Sequence, residues 1–230
     1  MQSSRKLVAL LVVVLAILAL GPAPAARAAS APLHVFPPQA RPYGHSYSEW
    51  AVRAYQWWFA RPAKEDPWMA TSGAYCDGGQ SGPVWFLVDY GASGSVVRTC
   101  TVPAGKALLI SPAWDECSML EGDAKTDEGL RGCVANMDLG HNLTEVHLTV
   151  DGVPITNLVT HYRLAVLFTF AYPVDNVRGV YVPRPGTSRA AGEGIFVMLA
   201  PLAVGPHTLD LGFHGWGMTS HVTYRLTIRR

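Results

Sequence analysis

"TEVHLTVDGVPITNL", residues 144–158, decides the class of fold. Val146, Leu148 and Val150 alternate with Glu145, His147 and Thr149. That period of two sends one row of side chains to a core and the other to water. Asp151-Gly152 follows, a pair suited to the positive φ angles of a two-residue hairpin turn. The same texture recurs in "RLAVLFTFAY" (163–172), "GIFVMLAP" (194–201), "HTLDLGFH" (207–214) and "VTYRLTI" (222–228). Upstream, "GPVWFLVDYG" (82–91), "SVVRTCTV" (95–102) and "KALLIS" (106–111) are further strands, giving about nine in all. Strands do not alternate with helices, which excludes a parallel nucleotide-binding sheet. The expectation is a mainly β chain folded as an antiparallel β-sandwich or jelly roll.

Two helical segments interrupt it. In "SYSEWAVRAYQWWFARP" (46–62), Ser46 and Glu49 have capping-box spacing, and Pro62 stops a helix over about 46–60. Trp50, Ala54, Trp57, Trp58 and Arg61 form one stripe of this helix, and Tyr47, Ala51, Tyr55 and Phe59 a second. A helix apolar around most of its circumference is buried around most of it, so the expectation is a plug over the sandwich. The competing reading is a stacking platform for sugar rings, with Tyr47, Tyr55, Trp58 and Trp114 as ligand-binding candidates. The second helix, about 127–138, starts after Thr126. It carries Leu130, Cys133, Val134 and Met137 on one stripe and closes at Gly140.

"MQSSRK", an apolar run of 14 residues and "GPAPAARA" have the order of a signal peptide over 1–28, cleaved after Ala28. Residues 29–45, with four prolines, are an extended lead-in to a single domain over 46–230. The mature chain is then secreted or lodged in the cell envelope or periplasm, with no stable membrane span. Without Arg5, Lys6 and Arg27, 15 basic and 17 acidic side chains remain. No basic run marks a nucleic-acid partner. In an oxidising compartment the four cysteines make two disulfides. Three pairings are open; Cys76–Cys100 with Cys117–Cys133 is preferred because both loops are short.

No complete catalytic motif is present. "GHSYS" (44–48) falls short of the nucleophile elbow, because no strand precedes it. "PAWDECSMLEGD" (112–123), read as a loop, sets Asp115, Glu116, Glu121 and Asp123 beside Trp114. Paired carboxylates near an aromatic ring suit glycoside cleavage, and the same oxygens suit a structural cation such as Ca²⁺. His147, Asp210, His214 and His221 all point away from the core side of their strands. If those strands are neighbours, they converge as a metal or acid–base site.

The phrases "YSEWAVRAYQWW", "GQSGPVWFL", "RTCTVPAGKALLISP", "VDGVPITNL", "YPVDN" and "MLAPLAVGPHTLDLGFHG" span nearly the whole mature chain. In them the chain resembles a family of exported bacterial proteins. The resemblance implies one recurrent secreted domain and carries no activity, ligand or catalytic residue with it. The function expected is a non-enzymatic binding domain for a glycan or another extracellular or envelope component, without a cofactor. The alternatives are a polysaccharide hydrolase or lyase using the loop carboxylates, and a structural or interaction protein with no small ligand.

Overall fold

The structure, a computed structural model, describes residues 33–230. The expected signal peptide and the first residues of the lead-in lie outside the described residues. Among the described residues are nine strands, β1 (Val84–Val88), β2 (Gly94–Pro103), β3 (Ala107–Ser118), β4 (Leu143–Val150), β5 (Val153–Pro154), β6 (Arg163–Tyr172), β7 (Gly186–Leu199), β8 (Gly205–Gly215) and β9 (Met218–Arg229). They form a four-stranded sheet in the order β1-β3-β7-β6 and a five-stranded sheet in the order β2-β9-β8-β4-β5, packed as a β-sandwich. Most pairings are antiparallel, but β1 runs parallel to β3 and β2 parallel to β9. A parallel pair needs a long crossover between its strands. For β1 and β3 that crossover is β2 in the opposite sheet, which is why no strand–helix alternation announces it.

Between the sheets, Leu87, Leu108, Ile110, Val197, Leu211 and Val222 are among the side chains of the main core. The hairpin at Asp151-Gly152 forms as expected, with φ of 51° and 80°. The lead-in is more than extended chain: Val35 bridges Leu199, and the Phe36 N–H bonds the Met198 carbonyl at 2.9 Å. It pairs with the end of β7 beyond Ile195, where β6 has not begun.

β3 departs most from expectation. It does not stop near Ser111 but continues to Ser118. Pro112 falls where the register against β7 shifts between Ile110 and Ala113, an irregularity in which its missing N–H removes no ladder bond. Asp115 and Glu116 are therefore neighbours on a strand rather than in a loop, and they project from opposite faces of the sheet.

Helix α1 (Tyr47–Phe59) carries the expected capping box between Ser46 and Glu49. It lies on the face of the four-stranded sheet that points away from the sandwich, over Phe86, Leu109, Phe168, Phe170, Phe196 and Met198. With α1 on one face and the second sheet on the other, β1 and β3 are apolar on both sides, which accounts for the unbroken run "VWFLV". Helix α2 (Asp127–Met137) packs Leu130 and Val134 on β3 and β7. It ends at Asp138, whose φ of 48° makes the left-handed cap expected of Gly140. Gly140 belongs instead to α3 (Leu139–Asn142), and a further short helix, α4 (Leu158–Tyr162), precedes β6. Both preferred disulfides are formed, Cys76–Cys100 joining a loop to β2 and Cys117–Cys133 joining β3 to α2.

Candidate functional site

The polar tips of α1 are keyed into the fold. Tyr47 hydroxyl donates to the Phe36 carbonyl at 2.6 Å and accepts from the Met198 N–H at 3.2 Å. The Tyr55 hydroxyl lies 3.0 Å from both the Asp115 and the Glu193 carbonyls, which face each other across β3 and β7. Indole N–H groups of Trp50, Trp57 and Trp58 donate to the Pro42 carbonyl, the Gly78 carbonyl and the Asp66 carboxylate. Gly192 makes room for the helix, because a Cβ there would sit 2.6 Å from the Tyr55 ring. Tyr47, Tyr55 and Trp58 are 3%, 4% and 2% exposed, so none of these three ligand-binding candidates offers a ring to solvent. The fourth, Trp114, is half-buried. Its ring packs on Trp58 and Trp68 at centroid distances of 4.5 and 5.1 Å, and its N–H is held by Asp89 at 2.7 Å. The reason is the one that favours a plug: rings all round a helix need cover on all sides. Beneath α1, bordered by Tyr55, Trp58, Trp114 and Phe196, is a cavity of about 20 Å³. It has room for about one water and none for a sugar ring.

Of the acidic candidates, Asp115 and Glu116 are likewise interior. Burial first, and then the facing Glu193 carboxylate, push Asp115 up to about 7. Burial also drives Asp89 up to about 7, although Trp114 and Arg98 act against it. On the α1 face, Glu116 is almost wholly buried and is raised well above the usual range, mainly by desolvation. Arg178 approaches Glu116 at 3.0 Å and Glu121 at 2.6 Å, and its guanidinium lies over the Trp58 ring. Against its own burial, the bonds from Arg178 and from the Ser118 hydroxyl hold Glu121 below the ordinary carboxylate range. Asp123 accepts the Ser118 N–H at 2.8 Å and so closes the turn after β3. The four candidates thus do not converge: Asp115 faces one side, Glu116 and Glu121 share an arginine on the other, and Asp123 is an exposed turn residue. Arg178, the cation that serves this pair, has no sequence signal, because it arrives from a loop 57 residues beyond Glu121.

The histidine set lies on the other sheet. β4, β8 and β9 are adjacent, and the register aligns His147, Gly212 and His221 in one row across them. Asp210 stands two residues before Gly212 on the same face. Its Oδ1 lies 3.1 Å from His147 Nε2 and 2.9 Å from His221 Nε2, and its Oδ2 accepts from the Thr223 hydroxyl at 3.0 Å. Against partial burial, these bonds from His221 and Thr223 hold the Asp210 carboxyl below the usual range. One ligand atom from each of His147, Asp210 and His221 falls within 4.8 Å of the others. His214 is not among them; it lies further along β8, between Glu145 and Thr219. Sequence reasoning misses Gly212, although a glycine inside a strand marks a close approach. A Cβ there would lie 2.3 Å from the Ser220 carbonyl oxygen and 2.9 Å from His147 Cε1. An open groove of about 470 Å³ runs between β4 and the segment 154–160, with His147 among its lining residues. A second cluster with metal-ligand character, Cys117, Asp123 and Cys133, has its two sulfurs committed to a disulfide.

No protein-family model matches the chain, and no curated protein matches it significantly. Three solved structures overlap part of it. The structure of PbICP-C in complex with falcipain-2 has 10% identity, covers 64% of this chain and 100% of that one, and has a TM-score of 0.27. The cysteine protease inhibitor EhICP2 from Entamoeba histolytica has 15% identity, covers 64% of this chain and 96% of that one, and has a TM-score of 0.21. The solution structure of amebosin has 11% identity, covers 60% of this chain and 100% of that one, and has a TM-score of 0.18. At these scores the overlaps do not define a common fold. Among the described residues, no helix is long and apolar enough to cross a membrane. The two disulfides are those of a chain that folds in an oxidising compartment.

Proposed function

We propose that this chain is an exported, non-catalytic binding domain that meets its partner with the outer face of the five-stranded sheet. The observation that carries the reading is the unequal cover of the two sheets. In the four-stranded sheet, β1, β3 and most of β7 are enclosed on both faces, by α1 on one side and by the sandwich core and α2 on the other, and only β6 shows alternate residues to solvent. The five-stranded sheet keeps one face to solvent, where Thr99, Thr101, Thr208 and Thr227 stand in rows with Arg225 and the His147–Asp210–His221 cluster. This face is mainly polar; Val97 is exposed on it, and its rings are the imidazoles of His147 and His221. A partner bound there, whether a glycan or a protein of the cell envelope, is held by hydroxyl, imidazole and guanidinium hydrogen bonds. The hydrolase reading is less well supported, because Asp115 and Glu116 point to opposite faces and Glu116 is sealed under Arg178.

The test is incubation with a panel of polysaccharides and envelope fractions, scored for both retention and product release. Retention without product, weakened by Arg225→Ala together with Thr227→Ala, is the expected result. Product release abolished by Glu116→Gln would overturn the reading in favour of catalysis.

A further inference from the structure

We infer that His147, Asp210 and His221 form a binding site for a divalent transition-metal ion of the zinc class, open to solvent on the outer face of the five-stranded sheet. The donor set is two imidazole nitrogens and one carboxylate oxygen. Zinc takes three such ligands in open sites and leaves a fourth position for water or another donor. Calcium and magnesium prefer oxygen-only sets, which this cluster does not supply.

Geometry supports the assignment beyond the residue types. Both Nε2 atoms converge on the same oxygen of Asp210, at 3.1 and 2.9 Å. Neighbouring ligands in a tetrahedral zinc site are about 3.3 Å apart, given bonds of about 2.0–2.1 Å. The two carboxylate–imidazole spacings therefore need to open by only a few tenths of an ångström, while the two imidazole nitrogens, within 4.8 Å of each other, would draw together onto the ion, each ring then carrying its hydrogen on Nδ1. The three ligands come from three adjacent strands, so the ladders of β4, β8 and β9 fix their spacing before any ion arrives. Thr223 holds the second carboxylate oxygen and turns Oδ1 toward the imidazoles, the usual task of a residue behind a ligand. Gly212 leaves the space between the two rings unfilled, since a side chain there would strike His147. The side chains are between a third and a half exposed, which lets an ion enter and leaves its remaining coordination open.

The site rests on this geometry and does not require the face to have a macromolecular partner. Calorimetric titration of zinc chloride into the intact, chelator-treated protein tests it, with His147→Gln, His221→Gln and Asp210→Asn as variants. His214→Gln and His141→Gln are the controls; the latter breaks an exposed His141–Asp138 pair elsewhere on the surface. One ion per chain is expected, with affinity falling at least about tenfold in each cluster variant and unchanged in the controls. Zinc should also raise the melting temperature of the native protein and leave that of Asp210→Asn where it was. Equal affinity in the native protein and all three cluster variants, or no saturable binding at one ion per chain, would overturn the assignment. Scoring partner retention with and without chelator keeps a failed zinc site distinct from a failed binding face.

Discussion

Asp89 gives a quantitative handle on the interior. It is 2% exposed, accepts the Trp114 indole N–H, and holds its proton to about pH 7, whereas an unfolded aspartate loses it near 3.8. Between those values the folded chain binds one proton more than the unfolded chain. The contribution is therefore complete below 3.8 and is lost as the pH climbs through 7, at about 1.4 kcal/mol per pH unit. From pH 5 to pH 8 the loss spans about two of those units, or about 3 kcal/mol. In the Asp89→Asn variant the side-chain amide keeps a carbonyl oxygen for Trp114 and cannot ionise. Asp115, which also titrates near 7, is present in both proteins and cancels in the comparison. Urea unfolding of native and Asp89→Asn proteins, followed by tryptophan fluorescence at intervals from pH 5 to pH 8, should show the native protein losing about 3 kcal/mol relative to the variant. Parallel stability curves would rule this out, because they would mean that Asp89 is ionised in the folded state throughout.

Three other outcomes follow from the same packing. Arg98 is 1% exposed and donates to the carbonyls of Trp68, Ala70, Val88 and Asp89 and to the Tyr224 hydroxyl, so Arg98→Met, which leaves buried acceptors unpaired, should cost at least about 1–3 kcal/mol in denaturant unfolding. Gly192→Ala drives a Cβ to 2.6 Å from the Tyr55 ring and should destabilise by about 1–3 kcal/mol, read as a lowered melting temperature. Reducing the disulfides, which span 24 and 16 residues, should remove about 3 kcal/mol each on the chain-entropy account, measured with single Cys→Ala pairs.

What the sequence makes legible is local. The Ser46–Glu49 capping box, the Asp151-Gly152 turn and the alternation of β4 and β8 each depend on residues within a few positions of one another. From the alternation comes the outward placement of His147, Asp210 and His221, and the aromatic surplus of α1 points to its burial. What stays hidden is set by distant partners. Pro112 reads as the end of a strand, because its place in a register shift depends on β7. Asp115 and Glu116 then read as loop carboxylates, and Arg178 cannot be matched to Glu116 without the fold. The parallel pairings escape for a similar reason: strand texture does not record which sheet the intervening strand joins.

The proposed partner-binding and metal-binding groups thus lie on the open face of the five-stranded sheet, while the aromatic helix is structural cover. Diffraction from zinc-soaked crystals, with data on both sides of the zinc absorption edge, puts that division to the test. An anomalous peak is expected within about 2.0–2.2 Å of His147 Nε2, His221 Nε2 and an Asp210 oxygen. Strong peaks confined to other positions, with the three side chains still bonded only to one another, would contradict it.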